Sequence, residues 1–464
     1  MDASGAGVSP VAATLRALRA ALDGAGAPVG LGAGGPGAVG LADSGGRGVG
    51  GRGAFGGLGA SASRSPLPSN QARRKQEIRR EQEVWPGFGL FSADPLFRDD
   101  PARAAHAAAV ITTSGSTGHP KSVVLSREAI GASVSATAAR IGEGRWLLAL
   151  APGYVAGLQV LARSIAAGTD PVVMPSVETG GRFEPGAFVE ATAELGRGTD
   201  ASASRYTSLV PAQLADLLDA GPDAVAALRT YAAVLIGGQA MPEPLRERAA
   251  DAGVRVVRTY GSSETAGGCV YDGHPLDGVR LRIAGTGGSA GAAGGAAVLG
   301  PVGPPHTGEV LIGGATLADG YLGDPERSGA AFTTDADGAR WYRTGDAGEV
   351  LPGGALRITG RLDNVIVSGG VNVSLDRVER AVRRVAGLER AVVVPVADER
   401  WGEASIIMID TDASSTALAD ARAAVEAEVG RVARPRELVL VDRIPTLVSG
   451  KPDRVALRAL AAER

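Results

Sequence analysis

Ile111-Thr-Thr-Ser-Gly-Ser-Thr-Gly-His-Pro-Lys-Ser122 follows the apolar run Ala108 to Ile111 and gathers glycines, hydroxyls and one lysine within a dozen positions. The apolar run reads as a strand, so the polar stretch is a loop at a strand end. Glycines there let backbone amides approach an anion, hydroxyls add donors, and Lys121 supplies positive charge. The spacing is not that of a Walker A loop, which sets Gly and Lys side by side before Ser or Thr; His119 and Pro120 intervene. An ordinary turn seldom needs so many hydroxyls plus a lysine. Thr113, Ser114, Gly115, Ser116, Thr117, Gly118 and Lys121 are therefore candidate phosphate ligands.

Outward from this loop, the apolar runs Trp146 to Leu150, Pro171 to Met174 and Ala232 to Ile236 alternate with helical stretches. That alternation predicts an α/β architecture with a substantially parallel sheet. After Arg361 the pattern changes to a compact α+β unit. It has a helix near Leu375 to Val385, strands at Ala391 to Pro395 and Ala404 to Ile409, a helix near Ala417 to Val432, and a final helix. At 464 residues the chain is long enough for a large domain plus a smaller one. The expected divisions are residues 1–82, 83–362 and 363–464. In the first, Val11, Leu15, Leu18 and Leu22 are spaced for one short amphipathic helix, after which Gly, Ala and Ser dominate to Ser69 and predict linker or disorder. The charged run Arg73 to Glu83 reads as a solvated helix, and Ala284 to Gly295 as a surface loop.

Composition excludes several classes. A net charge of -3 with interspersed signs gives no basic field for a nucleic-acid backbone. The single Cys269 allows no internal disulfide, and His106, His119, His274 and His306 lack metal-ligand spacing. No apolar run approaches the roughly 20 residues that span a bilayer. A cytoplasmic protein without membrane insertion is the expectation.

The Ile111–Ser122 segment resembles the phosphate-binding loop of the adenylate-forming superfamily of acyl-CoA synthetases, luciferases and peptide-synthetase adenylation domains. Five further segments follow in that family's order. Ile236-Gly-Gly-Gln-Ala240 resembles the adenine-side loop, with Gly238 in it. Thr259-Tyr-Gly-Ser-Ser-Glu-Thr265 resembles the motif in which an aromatic stacks on adenine, a threonine meets the α-phosphate and a glutamate coordinates Mg2+. The resemblance gives those roles to Tyr260 beside Gly261, to Thr265 and to Glu264. Tyr342-Arg-Thr-Gly-Asp-Ala347 resembles the ribose-binding motif, with Asp346 as its carboxylate, and Gly360-Arg-Leu-Asp-Asn364 the hinge, with Arg361 near ribose and phosphate and Asp363 as pivot. Ser449-Gly-Lys-Pro-Asp453 resembles the loop that delivers the adenylation lysine, Lys451.

The resemblance covers roughly residues 105 to 464. It implies a large N-terminal adenylation domain with mixed sheets and helices and a small mobile C-terminal α+β domain. The implied substrates and cofactors are ATP, Mg2+, coenzyme A and an aryl carboxylic acid, and a homodimer is compatible with it. Val367-Ser-Gly-Gly-Val371 resembles the strip lining the thiol tunnel, which makes Gly369 and Gly370 candidate CoA contacts; a plain tight turn would also require glycine there. The segments Leu150 to Ser164, Tyr206 to Leu214 and Gly267 to Val279 are similar to o-succinylbenzoate-CoA ligases of menaquinone biosynthesis. In that pocket Tyr154, Arg205 and Ser208 would combine an apolar wall with donors for a second carboxylate, although a surface position suits Arg205 equally well. Rival expectations are a ligase for another aryl or fatty acid, a domain loading a carrier protein, and an inactive nucleotide-binding scaffold.

Overall fold

The computed structural model describes residues 9–25, 29–31, 106–113, 120–197, 203–285, 307–446 and 451–462. Ser114, Gly115, Ser116, Thr117 and Gly118, the charged run Arg73 to Glu83, and most of the Ala284 to Gly295 stretch lie outside the described residues.

The strands Val172–Val173, Arg145–Leu148, Arg205–Leu209, Ala233–Ile236 and Val256–Ser262 form a parallel array. Helices such as Val155–Ala166, Pro185–Gly196, Pro211–Asp219 and Glu243–Asp251 lie between successive strands. Ala233–Ile236 is buried at every position, as expected of a parallel strand covered on both faces. Two antiparallel strands, Gly267–Tyr271 and His274–Pro275, complete this seven-stranded sheet. The expected parallel sheet is thus present, but the other sheets among the described residues are mainly antiparallel.

Helix Pro10–Leu22 begins with Ser9 as N-cap and Pro10 in the first turn. Val11, Leu18 and Ala21 are buried in the same cluster as Ile111, Leu125 and Leu161. Ser9 Oγ also donates to the Glu178 carboxylate at 2.6 Å. Strand Val29–Leu31 pairs parallel with Ala107–Thr113. These two pieces of residues 1–82 are therefore part of the large unit.

In the small unit, strands Val392–Asp398 and Gly402–Ile409 alternate cleanly. Val393, Ile407 and Ile409 face a core with helices Leu375–Val382 and Ala417–Glu428, while Val392, Val394, Ile406 and Met408 face helix Arg454–Ala462. A period of two along a strand produces this split. The sheet continues into the hairpin of Val365–Ser368 with Val371–Ser374.

Candidate active site

One cavity of about 1320 Å3 lies at the carboxyl ends of the parallel strands. Ala149 to Ala151, Ser208 to Val210, Gly237, Gly238, Thr259 and Gly261 to Glu264 line it, and Arg361 and Lys451 close it from the hinge and the small unit. Ligands favour this end of an open α/β sheet, where loops leave the strands and backbone groups are free to bind. Gly261 permits the local geometry, since a Cβ there would stand 2.1 Å from the Gly267 carbonyl oxygen of the neighbouring strand.

At the phosphate-loop side, Lys121 Nζ pairs with Glu264 Oε1, and Tyr321 donates its hydroxyl to the same oxygen at 2.9 Å. Glu264 is only 2% exposed. Burial pushes its pKa up, but the Lys121 ammonium and hydrogen bonds outweigh that effect and hold it below the ordinary carboxylate value. Among the described residues, Thr113 Oγ1 and Ser262 Oγ are buried without a hydrogen-bond partner, and both residues border the cavity. Two unsatisfied hydroxyls beside a lysine suit an anion.

Thr265 is a correction. It is fully buried; its hydroxyl donates to the Ser262 and Gly267 carbonyls at 3.1 and 2.8 Å and accepts from Ser262 N at 2.9 Å. It shapes the turn and is absent from the cavity wall, where Ser262 and Ser263 stand instead.

Asp346 accepts from Tyr260 Oη at 2.6 Å and from Arg361 Nη1 at 3.1 Å. Burial raises its pKa, partly offset by those two donors. Arg361 also grips Asp363 with two bonds of 2.9 Å and reaches the Thr344 carbonyl at 3.0 Å. Asp363 and Asp346 thus share one guanidinium. Lys451 runs past Gly238, its Cε 3.7 Å from where a Cβ on that glycine would lie. The crowding walls lower the Lys451 pKa, which Asp346 and Glu264 partly oppose.

At the acid end, Tyr154 and Ser208 border the cavity. Arg205 does not, and this is the second correction. It opens its strand at the amino end, three residues before Ser208, and its guanidinium lies beside Gly196. Helix Val155–Ala166 brings a different cation, Arg163, to the cavity wall. Val155, Gln159 and Arg163 follow one another at four-residue spacing on helix Val155–Ala166 and all border the cavity; that spacing was the available signal. Gly369 and Gly370 form the two-residue turn of the Val365–Ser374 hairpin, both with positive φ, 58° and 80°. They are not part of the cleft wall, and the neighbouring Val367 and Val371 are exposed. Cys269 is buried, its thiol pushed up to about 12 by burial, as fits a packing residue.

Comparison with known proteins agrees with this arrangement. Residues 60–322 match the AMP-binding enzyme family, and residues 377–451 match the AMP-binding enzyme C-terminal domain. A protein of Mycobacterium tuberculosis described as a probable 2-succinylbenzoate–CoA ligase is 42% identical over 364 residues, covering 77% of this chain and 85% of that protein. A long-chain-fatty-acid–CoA ligase of the same organism is 30% identical, covering 75% of this chain and 66% of its own. Among solved structures, an amide bond synthetase from Marinactinospora thermotolerans has a TM-score of 0.63 at 26% identity, covering 77% of this chain and 69% of that one. The o-succinylbenzoate CoA synthetase of Bacillus subtilis, in complex with its acyl-adenylate intermediate, has a TM-score of 0.60 at 24% identity, covering 75% and 68% respectively; that likeness concerns the fold. With both family models matched in order and the cleft assembled between the two matched units, the chain belongs to the AMP-binding enzyme family.

Proposed function

We propose that this protein is an AMP-forming acid–thiol ligase that activates 2-succinylbenzoate with ATP and transfers the acyl group to coenzyme A. The observation that carries the chemistry is Lys451, delivered by the small unit into a cleft that also holds the buried Glu264–Lys121 pair. The named acid is supported by the 42% identical relative.

In the first step a carboxylate oxygen attacks the α-phosphorus of ATP, the bond to the bridging oxygen breaks, and pyrophosphate leaves. Two anions must meet, so positive charge and hydrogen-bond donors have to be held in place beforehand. Lys451 stabilises charge on the attacked phosphate, while Thr113, Ser262 and Lys121 receive phosphate oxygens. Asp346 holds the ribose hydroxyls; its two bonds to Tyr260 and Arg361 leave lone-pair capacity for more donors.

The described residues contain no group of three acidic, His or Cys side chains fit to hold a metal by themselves. Mg2+ binds through one or two carboxylates, waters and substrate phosphates, and the Glu264 carboxylate on the cavity wall fits that role. Glu264 is its protein ligand in this proposal, and when bound the ion neutralises pyrophosphate charge.

In the second step the CoA sulfur attacks the acyl carbon, the bond to the phosphate oxygen breaks, and AMP leaves. Rotation about Asp363 would bring the Gly369–Gly370 hairpin to the cleft for that step. Cytoplasmic location and a homodimer belong to the same proposal. Acid-dependent ATP–pyrophosphate exchange, followed by CoA thioester formation, tests it with 2-succinylbenzoate, benzoate, a medium-chain fatty acid and acetate. Preference for 2-succinylbenzoate supports the proposal. Activity with another acid alone replaces the substrate, and no exchange with any acid leaves a scaffold.

A further inference from the structure

Strand Leu356–Arg361 belongs to the large unit, where it pairs with Arg340–Val350, and Asp363 follows shortly after its end. Helix Leu375–Val382 lies beyond Asp363, in the small unit, yet it grips the last residues of that strand. Asp376, in its first turn, accepts from the Arg361 amide at 2.7 Å through Oδ2 and from Asn364 Nδ2 at 2.8 Å through Oδ1. One turn on, Arg380 Nη2 donates to the carbonyls of Ile358 and Thr359 at 3.3 and 3.0 Å. The approach is so close that a Cβ on Gly360 would stand 2.9 Å from Ser374 Oγ and 3.0 Å from Asp376 Cβ.

These bonds differ in what a rotation about Asp363 does to them. Asn364 and Asp376 both follow the pivot, and the Asn364 carbonyl also accepts from the Leu375 amide at 3.0 Å, so these residues travel together. Ile358, Thr359 and Arg361 precede it. The bonds that Asp376 and Arg380 make to those three residues join opposite sides of the moving dihedrals, so they cannot all survive a large rotation. In the orientation described here Lys451 borders the cleft, and the Arg361 guanidinium reaches Asp346 and the Thr344 carbonyl in the large unit. Arg361 is thus held through its backbone by the small unit and through its side chain by the large one. We infer that Asp376 and Arg380 form a catch across the pivot, acting as positioning residues that hold the small unit for adenylation and release it for thioester formation. The inference rests on the two-step ligase function proposed above and adds the residues that set the balance between its two orientations. An ionised carboxylate on a backbone amide is a strong, directional bond, and at a partly exposed hinge water can take its place when it opens.

The test measures two rates for each variant: ATP–pyrophosphate exchange, and thioester formation from CoA and supplied acyl-adenylate, with whichever acid the wild type activates best. In Asp376→Ala exchange should fall roughly 10-fold while thioester formation holds or rises, so that the ratio of the two rates drops roughly 10- to 100-fold. Asp376→Asn keeps an acceptor and loses the charge, so its ratio should lie between that of Asp376→Ala and the wild type. Arg380→Met should lower the ratio in the same direction. Proportional losses in both rates, or an unchanged ratio, would make these contacts mere support for the fold and overturn the inference. If Asp376→Ala does not fold, the ratios in Asp376→Asn and Arg380→Met decide in the same way. A wild type that performs neither half-reaction fails the functional proposal itself, whereas an active wild type whose ratio these variants leave unmoved fails only the catch.

Discussion

Arg205 and Ser208 lie on one strand three residues apart, and they belong to different worlds. Ser208 stands at the carboxyl end, on the wall of the cleft; Arg205 stands at the amino end, where Arg145 donates to the Leu195 carbonyl and backbone amides tie strand starts to their neighbours. At the first end side chains are left with unsatisfied groups, as with Thr113 and Ser262. At the second, charges serve to close loops against the sheet. Chain direction, rather than residue type, separates binding from support in a parallel sheet.

The sharpest test of that division is Lys451→Ala, which removes the cation that the small unit brings to the cleft. Acid-dependent ATP–pyrophosphate exchange should fall by roughly 100- to 1000-fold, while thioester formation from supplied acyl-adenylate stays near wild type. Loss of both half-reactions together would contradict the use of two different faces of the small unit. The wild-type exchange rate should also fall as pH rises through the Lys451 pKa, which lies below the ordinary lysine value, because the ammonium loses its proton. Lys451→Arg should move that alkaline limb upward, since a guanidinium stays charged.

Next in size is Lys121→Met, which strips the partner from a carboxylate that is 2% exposed. Breaking such a pair costs about 3–5 kcal/mol. In the wild type the Glu264 pKa is depressed, so its contribution to stability is present at neutral pH and lost as pH falls through the folded value. Without Lys121, burial, the largest influence, is opposed only by the remaining hydrogen bonds, and the folded pKa should rise above the unfolded one. The contribution then survives at low pH and disappears as pH rises. Melting temperatures between about pH 4 and pH 7 should therefore change slope between the two proteins. A parallel pair of curves would show that the lysine does not hold the carboxylate's charge. Smaller again is Asp346→Asn, which should raise KM for ATP by roughly 10- to 100-fold with a lesser change in kcat, because charge-assisted bonds weaken to neutral ones.

Much of this was legible in the sequence. Strand and helix periodicity located the parallel array and the small unit, since period two and period 3.6 survive without knowledge of partners. Of the residues picked out by the family motifs, Lys121, Glu264, Arg361 and Lys451 border one cavity, and Asp346 is bonded to Arg361 behind that wall. What failed depended on orientation. Thr265 follows Glu264 directly, but the backbone turns between them, so the hydroxyl bonds to Ser262 and Gly267. Arg205 carries the right charge at the wrong end of its strand. Arg163 was passed over because it sits in an apolar helix, where only four-residue spacing from Gln159 hints that one face meets a cavity.

Arg205 gives the smallest expected effect and the most direct check on the comparison. Its guanidinium lies against Gly196 and influences Tyr231, whose hydroxyl bonds with Thr192 at 2.8 Å; all three belong to the support layer of the large unit. Arg205→Met should therefore lower the melting temperature slightly and leave KM for 2-succinylbenzoate within about twofold, as exposed or half-exposed charges contribute little. If Arg205→Met instead raised KM for the dicarboxylate selectively, the amino ends of these strands would be sensing the acid, and position along the strand would no longer separate binding from support.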